Sequence, residues 1–356
     1  MSPVQPAETA TTVEAPTRMR GIQLAGDRAV RLAELDVPPR GPSEALVRIT
    51  MSAVCGSDLP HYRAPAGDLG RRAHIVPGHE PVGFVVEAAP GGVPAGTRVL
   101  VYHHSGEGRC EHCAAGEPMF CAGRETLGNH RHGADAEWLV APDVSLVPLP
   151  DDIDDALAAL IACNFGTAFA GLRKSGARVG DRVVVTGLGA VGLCVVIAAV
   201  AAGCRVIAVD PIPERRDFAR ELGAAIAVDP TAADPVAAIR AATEGEGAEI
   251  VIECSANAGA QRQATEAVRP HGTVLLIGSN SSMEIDPGVD LIRKEVRVLG
   301  TWIFKRHEIP AIFRAARGMP DLRRLLGESY PASDAQRAFA AVDRGEVVGK
   351  VLIDWR

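Results

Sequence analysis

The stretch DRVVVTGLGAVG at residues 181–192 decides the fold. Its first half is a strand of β-branched residues, and its second half has the spacing GxGxxG, which opens an apolar helix. The glycines permit a tight turn, a close backbone approach to a pyrophosphate and close packing of helix on strand. Free N–H groups at the helix N-terminus attract phosphates. The residues assigned to this dinucleotide turn are Gly187, Gly189, Ala190, Val191 and Gly192.

Asp210 ends the next strand, RVIAVD, and sets the expected cofactor. A carboxylate at this position accepts hydrogen bonds from the ribose hydroxyls and repels a 2′-phosphate, so the sequence favours NAD over NADP. Arg215 follows in the next helix and leaves two alternatives open: it flanks the ribose without a role, or it tolerates a 2′-phosphate. The remaining interpretation is a domain that has this fold and this turn but binds no dinucleotide.

Strands and helices alternate on both sides of the glycine turn, which predicts βαβ units and a parallel sheet. The segment DDALAALIACNFGTAFAGLRKSG before it reads as helix with a glycine break. The N-terminal part instead has short β-rich segments between glycines and prolines, and the last strand, GKVLIDWR, resembles that part. The predicted class is therefore α/β, a β-rich domain plus a doubly wound Rossmann domain. The predicted boundaries are 1–18 for a disordered tail, 19–164 with 304–356 for the β-rich domain, and 165–303 for the Rossmann domain.

Composition and charge exclude several classes of function. The 356-residue chain has a formal net charge of −7, whereas nucleic acids and anionic membranes are bound by basic patches. The longest apolar run is too short to span a bilayer, and the N-terminal residues lack the apolar core of a secretory signal. We therefore expect a cytoplasmic protein that binds neither nucleic acid nor membrane. Its eight cysteines are then reduced, and are either buried or metal-binding.

Three motifs carry candidate zinc ligands: VCGSD with Cys55, GHEPVG with His79, and ACNFGT with Cys163. Two thiolates and one imidazole suit zinc, and three protein ligands leave a fourth position open for a substrate. Taken singly, a buried cysteine or a core histidine is the commoner interpretation. Spacing along the chain does not show that the three residues meet.

A second cluster is local, because Cys110, Cys113 and Cys121 lie within twelve residues on a polar loop. This spacing predicts a structural zinc lobe, and a lobe of free thiols is the alternative. The remaining cysteines, Cys194, Cys204 and Cys254, are predicted to be small buried residues of the Rossmann domain. The histidines near the lobe are predicted to be surface groups or groups behind the ligands; they are His103, His104, His130 and His132.

Together and in this order, CGSD, GHExxG, the CxxC lobe and GxGxxG with its acid resemble the zinc-containing medium-chain dehydrogenases, the group of alcohol, sorbitol and threonine dehydrogenases. The resemblance extends from Met19 to Arg356. It implies a GroES-like β domain that holds a catalytic zinc through Cys55, His79 and Cys163. It also implies a homo-oligomer, a dimer or tetramer, that pairs through Rossmann edge strands such as EVRVLGTW.

The resemblance also implies roles for single residues. Asp58 would orient the zinc-bound histidine, and Glu80 would act as a transient ligand. Ser57 would carry the alcohol proton away from the metal, and His61 would stand in for a relay histidine that the family often has at the position of Pro60. Two further assignments concern the cofactor: Thr167 contacts the nicotinamide side and Lys350 reaches the pyrophosphate.

Glu107 occupies the position at which the family has the first of four lobe cysteines. A carboxylate binds zinc at a similar distance, so a lobe of Glu107 and three cysteines is expected.

The implied reaction is hydride transfer between NAD(H) and a secondary alcohol or the matching ketone, with zinc polarising the substrate oxygen. The polar loop after the relay suggests a polyol, amino alcohol or sugar-like substrate near Arg63, Arg71 or Arg72, and a solvated loop is the alternative. Two other functions stay open. One is a zinc-retaining reductase of an activated C=C bond, and the other is a non-catalytic dinucleotide-binding protein.

Overall fold

The computed structural model describes residues 16–279 and 281–356. Most of the tail predicted for residues 1–18 lies outside the described residues, and the first strand begins at Arg18. The strands are β1 (Arg18–Gly26), β2 (Ala29–Asp36), β3 (Glu44–Val54), β4 (Val82–Glu87), β5 (Arg98–Val101), β6 (His104–Ser105), β7 (Glu125–Thr126), β8 (Trp138–Pro142), β9 (Leu146–Pro148), β10 (Arg182–Thr186), β11 (Arg205–Val209), β12 (Ile226–Val228), β13 (Ala248–Glu253), β14 (Val268–Leu276), β15 (Arg297–Gly300), β16 (Leu326–Pro331) and β17 (Lys350–Asp354). The helices are α1 (Leu59–Arg63), α2 (Glu111–Ala114), α3 (Asp155–Leu160), α4 (Gly166–Ser175), α5 (Ala190–Ala201), α6 (Pro213–Glu221), α7 (Pro235–Ala242), α8 (Ala258–Ala267), α9 (Ile309–Arg317) and α10 (Ala335–Asp343).

The alternating segments form the predicted parallel sheet, with strand order β12-β11-β10-β13-β14-β15. Central strand β10 is apolar because both of its faces are covered by helices: Val183, Val184 and Val185 are fully buried. Its carboxyl end leads directly into the glycine turn and α5. In an open α/β sheet, ligands bind outside the carboxyl ends of the strands. Strand β15, from the predicted edge segment EVRVLGTW, lies at one edge of this sheet.

The β-rich domain is built on a second sheet, with strand order β16-β17-β3-β4-β5-β9 and with β8 also paired to β3. The C-terminal strand β17 inserts beside β3 in antiparallel register, so that Val351 lies opposite Val54. The chain therefore returns to the β-rich sheet with its last strand. This pairing also brings Lys350 next to Cys55, which follows β3.

One helical run, Asp155–Ser175, connects the two sheets, and the glycine break predicted within it is wrong. A π-helical turn over Ile161–Phe165 joins α3 to α4 without interruption. Gly166 is needed for packing instead, because a Cβ there would lie 2.2 Å from the ring of Phe304. By length and composition alone this run could cross a membrane, but 78% of its most apolar window is buried inside the protein.

One of the hydrophobic clusters spans both domains. A single cluster of buried residues contains Met51 and Leu100 from the β-rich domain, Leu160 from the connecting run, and Val185 and Val195 from the Rossmann domain. Because well-packed interiors deform little, this shared core fixes the cleft between the two sheets.

Candidate active site

The three residues proposed as catalytic zinc ligands meet in the cleft between the domains. One ligand atom from each of Cys55, His79, Glu80 and Cys163 lies within 4.8 Å of all the others. Cys55 follows β3, the His79–Glu80 pair lies in the loop before β4, and Cys163 lies in the π-helical turn. Residues far apart in sequence therefore converge on one point. Isolated π turns within helices occur frequently at functional sites, and this one carries a candidate ligand.

Asp58 connects the first two ligand loops. Its Oδ2 accepts a hydrogen bond of 2.9 Å from the backbone N–H of Cys55. Its Oδ1 lies 3.3 Å from Nδ1 of His79, which leaves Nε2 of His79 free to face the cluster. Burial lowers the pKa of His79, but Asp58 and Cys55 act against burial and raise it well above its usual value. A carboxylate on the outer nitrogen fixes the ring orientation and makes the other nitrogen a better metal ligand.

The pKa values of the two cysteines of the cluster are shifted in opposite directions. A hydrogen bond from Cys163, with the positive charge of Lys350, lowers the pKa of Cys55 well below its usual range. The same hydrogen bond raises the pKa of Cys163. Since a metal binds the thiolate form, the site favours at least one ligand in its binding state.

Glu80 and Lys350 form a fully buried ion pair beside the cluster. The Lys350 ammonium donates a 2.7 Å hydrogen bond to Oε1 of Glu80, and the two side chains are 1% and 0% exposed. Oε2 of Glu80 is buried without a hydrogen-bond partner. Burial raises the pKa of Glu80, and Lys350 opposes this shift. In this structure the Lys350 ammonium thus contacts Glu80, and its assignment to the pyrophosphate stays a prediction.

A further buried acid, Asp135, lies behind the His79 loop. Its Oδ1 accepts a 2.7 Å hydrogen bond from Oγ of Ser52, which in turn accepts one of 3.0 Å from Nε1 of Trp355. Its Oδ2 is buried without a partner, and a Cβ at Gly78 would lie 2.5 Å from Oδ1. Burial raises the pKa of Asp135 to about 7. We did not predict this group; the only signal was an acid among small residues in GADAEW.

The lobe brings three of its four predicted ligands together. Sulfur atoms of Cys110, Cys113 and Cys121 lie within 4.8 Å of one another, and the first two are 3.5 Å apart. Two sulfurs bound to one tetrahedral zinc at about 2.3 Å would be roughly 3.8 Å apart. Glu107 does not belong to this group in the structure. It is exposed, and its carboxylate lies against Gly123.

The glycine turn has the close contacts expected of a dinucleotide site. Gly187 has a φ of +83°, and a Cβ there would lie 2.7 Å from the backbone of Ser255. A Cβ on Gly192 would lie 1.9 Å from the carbonyl oxygen of Gly187, so helix and strand approach too closely for alanine. At Gly189, by contrast, the space beside the backbone is open. Within the described residues no side chain caps the N-terminus of α5, so its N–H groups are available to an anion.

Asp210 lies at the end of β11 beside this turn. Its two oxygens accept hydrogen bonds of 2.7 Å and 2.8 Å from the backbone N–H groups of Leu188 and Ile212. Arg215 lies 3.9 Å from the same carboxylate, and its Nε is buried without a partner. The Asp210 carboxylate is therefore held in place by two hydrogen bonds, and the Arg215 guanidinium lies next to it.

The metal cluster and the glycine turn open into one cleft of about 1300 Å³. The predicted site residues that line it are Cys55, Ser57, Arg63, His79, Cys163, Thr167, Gly187, Gly189, Ala190, Val191, Gly192, Asp210, Arg215 and Lys350. Ser57 is exposed there, beside Cys55. His61, Arg71 and Arg72 are not among the described residues that line the cleft. Arg63 does line it, but its guanidinium is paired with Asp343.

Of the two positions predicted for His103 and His104, on the surface or behind the ligands, the structure excludes the surface. Both side chains are buried, and His103 lines the cleft together with Trp302. Their buried position follows from β5, which ends two residues earlier and leads into the interior. By contrast, His130 and His132 accept hydrogen bonds from backbone N–H groups.

Comparison with known proteins gives a consistent match over both domains. Residues 41–151 match the model of the alcohol dehydrogenase GroES-like domain, and residues 190–317 match that of zinc-binding dehydrogenases. An uncharacterised zinc-type alcohol dehydrogenase-like protein of Escherichia coli is 32% identical over 95% of this chain and 99% of its own length.

Two solved structures bear on activity and cofactor. An alcohol dehydrogenase from Thermus sp. is 30% identical over 94% of this chain and 99% of its own, with a TM-score of 0.84. A zinc-binding dehydrogenase from Sinorhizobium meliloti, 27% identical over 95% of this chain and 100% of its own, has a TM-score of 0.80 and was solved bound to NADP.

Proposed function

Since the chain belongs to the zinc-containing medium-chain dehydrogenase family, we propose that it transfers hydride between a secondary alcohol, or the matching ketone, and NAD(H). The observation that carries this proposal is the single cleft that joins the Cys55–His79–Cys163 cluster to the glycine turn. A substrate oxygen at the cluster and a nicotinamide that extends from the turn would meet in that cleft. Such proximity is what hydride transfer needs.

The donor set fits zinc. Cys55, His79 and Cys163 supply two thiolates and one imidazole, and Glu80 adds a nearby carboxylate with an unpartnered oxygen. These residues would hold the ion, which when bound supplies Lewis-acid polarisation of the substrate oxygen. We propose a second, structural zinc at Cys110, Cys113 and Cys121. Its fourth ligand would be Glu107 after a side-chain movement, or water.

The chain's own residues prepare the site for proton removal. Ser57 is exposed in the cleft beside Cys55, so its hydroxyl is available to accept the alcohol proton. Asp58 keeps the imidazole of His79 in place while charge develops on the substrate. We assign no further relay group, because His61 is not among the described residues that line the cleft.

We propose NAD as the cofactor on the basis of Asp210. Its carboxylate is held at the end of β11 by two backbone N–H groups, where it would meet the ribose hydroxyls and repel a 2′-phosphate. Arg215 is the group that works against this choice. Asp210→Ser is expected to raise kcat/KM with NADP relative to NAD by at least about tenfold, since it removes the repulsion.

The deciding experiment measures zinc per chain and NADH formation from a panel of secondary alcohols. Cys163→Ser is expected to lose one zinc and the activity. Cys194→Ser is the matched control, because Cys194 is fully buried in α5 and belongs to neither metal group. Wild-type protein that binds NADH but oxidises no alcohol would overturn the proposal. Hydride transfer to an activated C=C bond in that protein would favour the reductase.

A further inference from the structure

Two adjacent histidines lie beside the candidate metal cluster without belonging to it. His103 and His104 are 6% and 2% exposed, and their ring centroids are 4.4 Å apart. Of the two, only His103 is among the described residues that line the cleft. Its ring centroid lies 5.0 Å from that of His79. His103 therefore forms the wall of the cleft next to the point where a substrate oxygen would bind.

His103 has hydrogen-bonding capacity that the protein does not use. Its Nδ1 is buried and has no hydrogen-bond partner among the described residues. An unpaired buried polar nitrogen costs free energy, so a ligand that pairs it gains affinity over one that does not. By contrast, His104 is used within the protein, since its Nδ1 lies 3.0 Å from Oγ1 of Thr126.

The ring nitrogens of an imidazole can pair with hydroxyl groups. A neutral imidazole has one donor and one acceptor nitrogen. It can therefore pair with a hydroxyl in either direction.

We propose that His103 recognises a hydroxyl on the carbon next to the reacting carbon, so that the preferred substrate is a vicinal diol or polyol. This inference rests on the proposed alcohol dehydrogenase activity. The two oxygens of a vicinal diol are about one hydrogen-bond length apart. With one oxygen at the cluster next to His79, the other reaches the adjacent ring of His103. A monoalcohol would leave the imidazole of His103 without this hydrogen bond.

The test compares 2,3-butanediol with 2-butanol, which are four-carbon secondary alcohols that differ by one hydroxyl. For wild-type enzyme, kcat/KM is expected to be about 10- to 100-fold higher for the diol. 1,3-Butanediol, whose second hydroxyl is one carbon further away, is expected to lose most of this advantage. A wild type that prefers 2-butanol, or does not distinguish the three, overturns the proposal without any variant.

His103→Phe keeps a flat ring against Tyr102, whose centroid is 5.9 Å away, and removes both nitrogens. It is expected to abolish the diol preference. His104→Phe is the matched control; it changes the neighbouring histidine and is expected to keep the ratio. His103→Gln, which retains a donor and an acceptor, is expected to restore part of the preference.

A binding measurement separates recognition from turnover. Dead-end complexes of the enzyme with NADH and an alcohol are followed by NADH fluorescence, and the diol is expected to bind about 10-fold or more tightly than 2-butanol in wild type but not in His103→Phe. If no alcohol is oxidised, the proposed dehydrogenase function fails. If alcohols are oxidised and the preference is the same in wild type and His103→Phe, only the role of His103 fails.

Discussion

Replacing Asp135 by Asn tests whether a buried acid behind the His79 loop makes stability depend on pH. Asn keeps the shape of the side chain and can still accept the hydrogen bond from Ser52, but it never ionises. Burial raises the pKa of Asp135 from 3.8 to about 7 in the folded chain. The stability from the protonated acid is therefore fully present below about pH 4 and is lost as the pH rises through 7.

The magnitude follows from the size of that shift. At about 1.4 kcal/mol per pKa unit, the whole titration is worth roughly 4 kcal/mol, and the interval from pH 5 to pH 8 about 2.5 kcal/mol. Any fixed cost of burying the Asn amide is the same at every pH. The free energy of unfolding of wild type relative to Asp135→Asn is therefore expected to fall by about 2.5 kcal/mol from pH 5 to pH 8.

Urea titrations of the metal-saturated proteins at pH 5, 6.5 and 8 measure this difference. Asp152→Asn is a control of opposite sign, because a hydrogen bond from Arg317 lowers the pKa of this exposed acid. Its contribution is lost only as the pH falls toward that lowered pKa, so its difference from wild type stays flat over the same interval. Parallel profiles for wild type and Asp135→Asn would show that the acid is not perturbed, and would refute the reasoning.

Three other predictions concern packing, cofactor binding and the buried ion pair. Gly166→Ala places a methyl group against an aromatic ring and is expected to cost about 1–3 kcal/mol in thermal unfolding; Gly300→Ala, in open space, should cost less than about 0.5 kcal/mol. A methyl group at Gly189 meets no atom in the free protein. Gly189→Ala is therefore expected to have the melting temperature of wild type, and its NADH affinity in a fluorescence titration is expected to be at least about tenfold lower. Lys350→Met leaves a buried carboxylate unpaired and is expected to cost about 3–5 kcal/mol, most of it recovered when Glu80→Gln is added; equal costs in the single and double variants would contradict this.

The sequence predicted the Rossmann domain well because its signals are local. The glycine turn lies between a strand and a helix that are both continuous in sequence, and the alternation around it follows one rule. Gly166 shows where local reasoning fails. A glycine within a helical pattern indicates a break when its partner is unknown, and its partner, Phe304, lies more than a hundred residues away.

The residues of the candidate cluster could be predicted from the sequence, whereas their surroundings could not. Cys55, His79 and Cys163 stand in motifs whose order along the chain is distinctive, so their residue types could be assigned before their meeting was visible. The pairing of Lys350 with Glu80 and the burial of His103 depend on which strands become neighbours. Neither the pairing of Lys350 with Glu80 nor the burial of His103 produces a periodic pattern in the sequence.

The insertion of β17 beside β3 also bears on the order in which the protein matures during synthesis. Val351 pairs with Val54 across about 300 residues of chain, a separation that slows closure. The strands of the Rossmann sheet are contiguous and can pair while the ribosome is still at work. The loop that carries Cys55 after β3 cannot complete its contacts until Lys350 has left the ribosome. Until then Glu80 lacks its cation, and the emerging chain is a Rossmann domain beside an incomplete Cys55–His79–Cys163 cluster.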